Sequence, residues 1–410
     1  MSEKLHFGRF DFAAFSLFAT YAAVSLAVPI VLVDMARDLG FPLAEGGMAT
    51  GGSMHMVRSI AMCVSMVFCG FAAARFGNRM TLGIAASLMG LGIFLCSLAP
   101  SALLVMPMLL VAGIGEGTIE GLGTPFVQDM HDKDSGRYVN FTHGFWSLGI
   151  IVAVLLLGAL LDWGFSWRFV LVVTSLFALL PVSLLLLPSR HPYKEKSVGV
   201  SAREVSLHAV EIVRTPAFWL YFAAMFLAGG GEYCLTFWCA SFIQLNFAGS
   251  AFAGAVGTAA FSAGMFLGRT SSGALVPQRH LKTLILSAGC AASVVSLLIP
   301  FFALHVDAIP PGLVLPGLCL LLFLTGLGTA PFWPSIQSLC VDHMPRLDTT
   351  MVFILLSCAG VPGCGFFTWL MGIVGDRAGL PRSFLLVPAS FLVMVGLIAL
   401  TRKSQPKKNR

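Results

Sequence analysis

Residues 101–130 read SALLVMPMLLVAGIGEGTIEGLGTPFVQDM, and they set two acids, Glu116 and Glu120, inside a run of apolar and small residues that no other charge interrupts before Asp129. A carboxylate in such a setting is expensive, because an ion gives up its hydration there. On an α-helix residues i and i+4 share a face, so both acids point one way. Glycines at 113, 117, 121 and 123 let neighbouring helices pack closely around them. The pair must face protein or a water-filled cavity, and ionisable groups at that depth mark ion pathways by default. Like charges in a low dielectric do not both ionise readily. One acid of the pair is therefore fit to exchange a proton.

The rest of the chain is built the same way. Its 410 residues are 57% hydrophobic and 11% charged, with a mean hydropathy of +0.88, whereas soluble domains carry roughly 25% charged residues. This is a polytopic membrane protein. A crossing needs about 20 mostly apolar residues, and the pattern predicts twelve helices over 11–36, 46–73, 80–98, 102–128, 139–161, 169–187, 217–245, 251–275, 282–304, 312–339, 349–374 and 383–401. The first is too long for a cleavable signal, and no small-residue cleavage site follows it.

Charge placement sets the orientation. With both termini cytoplasmic, 19 of the 25 Lys and Arg fall on inside segments, and only Arg37, Arg168, Arg377 and Arg382 fall outside, as the positive-inside rule requires. The expected location is the plasma (inner) membrane. The basic tail TRKSQPKKNR is suited to anionic lipid headgroups, and no nucleic-acid partner is expected. All ten cysteines lie within predicted helices without metal-ligand spacing, so neither a disulfide nor a metal is expected. GIGEG and GLGTP sit inside an apolar helix, away from the strand that a phosphate-binding loop needs. No enzyme and no cofactor are expected.

The polar segment 188–216 divides the twelve spans six and six, giving an expected N-terminal bundle over 1–187, a cytoplasmic central loop over 188–216 and a C-terminal bundle over 217–410. The halves echo each other. GLGTPFVQDM (121–130) pairs with GLGTAPFWPSIQSL (326–339), and GFAAARFGNR (70–79) with GALVPQRHLK (273–282). Such repeated halves are the pattern of transporters that rock around a midplane site.

GFAAARFGNR resembles the cytoplasmic loop motif of the major facilitator superfamily. Gly70, Arg75, Gly77 and Arg79 match it as gating-loop residues, and Ala74 stands where an acid is usual. EGLGTPF (120–126), YVNFTHGFWSLG (138–149) with SWR (166–168), GGGEYCLTFW (229–238), GMFLGR (264–269), GLGTAPFWPS (326–335) and GIVGDRAG (372–379) resemble the fucose/galactose/glucose:proton symporter branch. The resemblance implies an all-α fold of two pseudo-symmetric six-helix bundles and a monosaccharide carried with protons. It singles out Glu120 as the membrane-embedded coupling acid and Glu232 as its seventh-helix counterpart. It also places His143 on the cavity wall. Ser25, four residues before Pro29, replaces the first-helix Asp of those symporters, so Glu116 or Glu232 is the candidate second acid, or transport is uncoupled.

Other polar groups inside the spans complete the candidate set. Arg58, one turn from His55, needs an anion, which Glu116, Glu120 or a substrate carboxylate would supply. Arg269 is placed to snorkel or to cap a neighbouring helix end. Asn140 accompanies His143, while Phe126, Trp238, Trp333 and Gln337 are the expected sugar platform and hydrogen-bonding group. The expected partners are a small-molecule substrate, protons and the bilayer, with the chain a monomer. The competing readings are an organic-anion transporter or exporter, and a transporter-like receptor that binds without net flux.

Overall fold

A computed structural model describes residues 6–131, 135–188 and 202–402, without the side chains of residues 135–137, 140, 202–206 and 350. The helices are α1 (Arg9–Asp38), α2 (Met48–Phe76), α3 (Asn78–Leu98), α4 (Ala102–Met130), α5 (Ser135–Asp162), α6 (Trp167–Leu176), α7 (Leu179–Leu186), α8 (Ala202–Val213), α9 (Phe218–Asn246), α10 (Ala251–Leu275), α11 (Leu281–Leu304), α12 (Pro311–Thr329), α13 (Phe332–His343), α14 (Thr349–Ala378), α15 (Leu380–Ser383) and α16 (Leu386–Leu400). Twelve segments are long and apolar enough to cross a membrane, the sixth, tenth and twelfth made of the pairs α6–α7, α12–α13 and α15–α16. They form two six-helix bundles. Leucine, valine and phenylalanine side chains such as Leu103, Phe68, Leu179 and Val294 stay exposed, as a lipid-facing belt requires.

The three interruptions share a cause. Pro181, Pro334 and Pro388 each stand four residues after a break, at Phe177, Ala330 and Phe384. A proline has no N–H for the carbonyl four residues back and its ring crowds that carbonyl. In lipid the freed group must find another donor. The Phe177 carbonyl takes the Thr20 hydroxyl at 3.1 Å, and the Ala330 carbonyl takes Arg269 Nε at 3.4 Å. Pro29 leaves α1 continuous but deprives the Ser25 carbonyl of its donor in the same way.

Within the first bundle, α4 is set by its glycines. A Cβ at Gly113 would lie 2.6 Å from the Arg58 carbonyl oxygen, and one at Gly117 would lie 2.1 Å from that of Met62. Backbone meets backbone there, the close approach that small residues permit between membrane helices. The α3 side of α4 is equally tight, with Gly115 against Ala85.

Basic residues close the helix ends. Arg79 donates to the carbonyls of Leu185 (2.5 Å) and Leu187 (3.0 Å), and Arg9 to those of Ser183, Leu184, Leu187 and Pro188. Lys282 repeats the device in the second bundle, donating to the carbonyls of Ala399 (3.0 Å) and Thr401 (2.6 Å). The last carbonyls of a helix have no partner within it, and a cation there also meets the negative end of the helix dipole. Near the opposite face, Trp167 Nε1 and Arg168 both donate to Asp38, at 3.0 and 3.1 Å.

The bundles meet along one half of the molecule. Asp376 of α14 accepts from the backbone N–H groups of Met48 (2.8 Å) and Ala49 (2.9 Å), and Asp162 of α5 accepts from Phe252 N at 3.2 Å. Below them Gly52 packs on Trp369, Gly158 on Ala255, and Gly365 on Ser59. Cys63 Sγ lies 3.8 Å from the Cys358 carbonyl oxygen. Past that level α2 is exposed at Val64, Val67, Phe68 and Phe71. The face carrying Asp38, Met48, Asp162 and Asp376 is thus sealed.

Gly117→Leu should prevent recovery of monodisperse protein on size exclusion, because its side chain has no space against the α2 backbone. Gly70→Ala should leave the melting temperature unchanged, since a Cβ at Gly70 meets nothing within 4 Å.

Candidate functional site

One face of α4 carries Glu116, Glu120 and Thr124, successive i+4 positions, and each reaches a different helix. Glu116 is fully buried and takes a two-pronged contact from Arg58 of α2: Nε donates to Oε2 at 2.6 Å and Nη2 to Oε1. Arg58 spends its remaining donors on α1, with Nη1 3.3 Å from the Ser25 carbonyl oxygen and Nη2 3.4 Å from Ser25 Oγ. The paired planar geometry is the strong form of the arginine–carboxylate contact. Arg58 therefore has its anion within the protein.

Glu120 is only partly buried and has a different neighbour. Tyr21 of α1 lies near its carboxylate. Tyr21 packs edge-on against Trp146 with centroids 4.3 Å apart. One turn on, Thr124 Oγ1 meets Nε2 of His143 at 2.9 Å, and the His143 ring tilts against Phe18 at 4.7 Å. His143 itself is exposed. Asn140, expected beside it, has its side chain outside the described residues.

The second bundle supplies the facing groups. Glu232 of α9 accepts from Arg269 Nη2 of α10 at 3.2 Å, in a partly exposed pair. Arg269 also lies close enough to act on the charges of Glu120 and His143 from across the interface. Of the three intramembrane acids, Glu116 and Glu232 thus have a cation bound to them, while Glu120 has none among the described residues. The Trp333 ring is partly buried against Gly360 of α14, and Gln337 Nε2 donates to Ser357 Oγ at 3.2 Å.

Two expected platform residues present no surface. Trp238 is 0% exposed, with its Nε1 donating to the Thr368 carbonyl at 3.1 Å under the sealed face. Phe126 is also 0% exposed and stands edge-on to Phe10. Both are packing residues in this conformation, because α14 covers one and α1 the other. In the loop after α2, Gly77 has a φ of +81°, which glycine adopts freely. Arg75 is exposed over the Phe76 ring, and Asn78 Nδ2 holds Asp129 at 3.0 Å. Here Arg79 is anchored by helix-end carbonyls.

Sequence reading passed over Tyr21, Thr124 and Tyr233. Tyr233 donates to the Ser25 carbonyl at 3.4 Å and its ring stacks flat on His55, with centroids 4.2 Å apart and planes 5° apart. The only signal in the chain was position. Tyr21 lies four residues before Ser25, Thr124 four after Glu120, and Tyr233 next to Glu232.

The chain's overall shape is shared with solved transporters. It matches a D-xylose–proton symporter with a TM-score of 0.74 and 14% identity, covering 95% of this chain and 97% of that one. It matches the fucose:proton symporter of E. coli at 0.62 and 17%, covering 96% and 98%, and a bacterial homolog of the human lysosomal transporter Spinster at 0.67 and 17%, covering 96% of each. At these identities the likeness is one of fold. No curated protein matches the sequence itself. Residues 13–315, most of the chain, match the family described as the Major Facilitator Superfamily, and with twelve spans in two bundles this membrane transporter belongs to that superfamily.

Proposed function

We propose that the protein is a symporter that carries a neutral monosaccharide, fucose- or hexose-like, with protons by alternating access. The observation that carries this reading is the unequal pairing of the three acids. Glu116 is neutralised by Arg58 and Glu232 by Arg269, which leaves Glu120, partly buried and without a bound cation among the described residues, as the acid free to bind and release a proton. Protonation would remove the one uncompensated charge from the bundle interior and so lower the barrier to moving it past the opposite bundle. The names of two fold neighbours, a xylose–proton and a fucose:proton symporter, support the solute class.

The site chemistry supports a neutral, hydroxyl-rich solute. Arg58 is consumed internally, so it offers no free cation for a carboxylate. Thr124, His143, Gln337 and Glu232 provide donors and acceptors, and Trp333 provides an apolar face for a sugar ring. With the topology given by the basic residues, both termini and the 188–216 loop lie in the cytoplasm of a cell with this protein in its inner membrane. The sealed face is then the outer one, and the bundles part toward the cytoplasm. The organic-anion reading keeps one supporting observation: the Arg269 guanidinium is 31% exposed and could exchange Glu232 for a substrate carboxylate.

Glu120→Gln should abolish uphill accumulation in proteoliposomes bearing a proton gradient while leaving counterflow exchange of the same sugar intact, because shape is kept and titration is lost. Undiminished uphill uptake by that variant would remove Glu120 from the coupling role.

Arg58→Met should strip Glu116 of its partner and lower stability by roughly 3–5 kcal/mol, the usual cost of breaking a buried pair, read as a drop in melting temperature. Adding Glu116→Gln should recover much of it. A variant as stable as the parent that has lost stabilisation by acidic sugars would instead favour the anion reading.

A further inference from the structure

The Ser25 carbonyl differs from the other carbonyls freed by prolines in taking two side-chain donors, one from each bundle; that of Cys358, freed by Pro362, also faces the opposite bundle, but only through the Cys63 thiol at 3.8 Å. The Phe177 group is satisfied by Thr20 and the Ala330 group by Arg269, each from the same bundle. Ser25 takes Arg58 from its own bundle and Tyr233 from the opposite one. Pro29 creates this second vacancy, since a residue with an N–H there would occupy the carbonyl from within α1.

We propose that the Tyr233 hydroxyl on the Pro29-freed carbonyl of Ser25 is the mid-membrane catch that holds the two bundles closed on their sealed face, and that its release is a step of the transport cycle.

The bonding is graded to suit that task. Contacts within the first bundle are strong: the Arg58–Glu116 pair is buried and two-pronged. Across the interface the same cluster has a 3.4 Å hydroxyl contact, the stack of His55 on Tyr233 and a tilted contact of His55 with Phe237 at 5.5 Å, none of them ionic. His55 is 4% exposed, its Nε2 lies 3.3 Å from Ser59 Oγ, and its Nδ1 has no partner among the described residues. An unpartnered buried nitrogen costs free energy in the closed state, and separation from Tyr233 would hydrate it. When Tyr233 leaves, the Ser25 carbonyl retains Arg58, so no backbone acceptor is stranded in the membrane. The catch can therefore open without a large penalty on either side, as a two-state element requires.

This inference rests on the rocking of two bundles proposed above but on neither the solute nor the proton. The reporters are the backbone amides of Met48, Ala49 and Phe252, whose partners are the carboxylates of Asp376 and Asp162 across the interface. Hydrogen–deuterium exchange of full-length protein in nanodiscs, without solute or gradient, reads their opening. Tyr233→Phe keeps the stack and removes the hydroxyl. Pro29→Ala restores a donor within α1 and leaves Tyr233 in place. Each should speed exchange at these amides about five-fold, the population change that one ordinary hydrogen bond supplies. The double variant should match the single ones, because both remove the same contact. Unchanged exchange in Tyr233→Phe, or effects that multiply in the double variant, would overturn the proposal. Absence of proton-driven sugar uptake by the parent protein, with exchange behaviour as expected in the variants, would count against the symport reading alone.

Discussion

A guanidinium and a carboxylate, each all but removed from solvent between α2 and α4, are the contact around which the first bundle is arranged. Neither ion could occupy that depth alone. Together they fix the spacing that Gly113 and Gly117 make sterically possible, and the remaining arginine donors draw in α1 through Ser25. The second bundle uses the same grammar with different helices. Arg269 joins Glu232 and a carbonyl that Pro334 has released. In both cases one arginine answers an acid and a backbone acceptor at once, its planar fork presenting donors to both. The difference is exposure: the first pair is sealed and structural, while the second borders the polar groups of the site.

Helix ends follow a comparable economy. Arg79 at the start of α3 closes the end of α7, and Lys282 at the start of α11 closes the end of α16. The two loop segments whose sequences echo each other thus do the same job in the two halves. Ala74, standing where related loops carry an acid, does not leave Arg79 without a partner, because carbonyls at a helix C-terminus already supply one.

Much of this was legible in the chain. Hydropathy placed the spans to within a few residues, as with 102–128 against Ala102–Met130, since membrane thickness leaves little freedom in helix length. The breaks in the sixth, tenth and twelfth spans went unread although Pro181, Pro334 and Pro388 announced them. What could not be read was pairing between helices. Spacing along α4 gave Glu116 and Glu120 the same face and left Arg58 to choose; the choice depends on the height at which α2 crosses α4. Tyr233 meets Ser25 from 208 residues away, and no local pattern encodes that. Aromatic content is uninformative for a related reason. With 34 phenylalanines and seven tryptophans, burial of any one ring is a property of the assembled bundle, and Trp238 and Phe126 proved to lie inside it.

The clasps on the sealed face are carboxylates set on helix N-termini, not pairs of charged side chains. That choice has a kinetic meaning. A bridge between two full charges must be broken before either is rehydrated, so its rupture adds to the activation barrier. An N-terminal helix turn holds only a fraction of a charge, and Asp376 and Asp162 can each pass from amide to water through shared solvation as the faces part. Asp162 is already exposed and Asp376 partly so. Such fastenings give a face its register while leaving the rate of parting to the packed surfaces beneath, where Gly52 meets Trp369 and Gly158 meets Ala255. Speed of turnover and precision of closure are thereby assigned to different atoms, and selection can adjust one without disturbing the other.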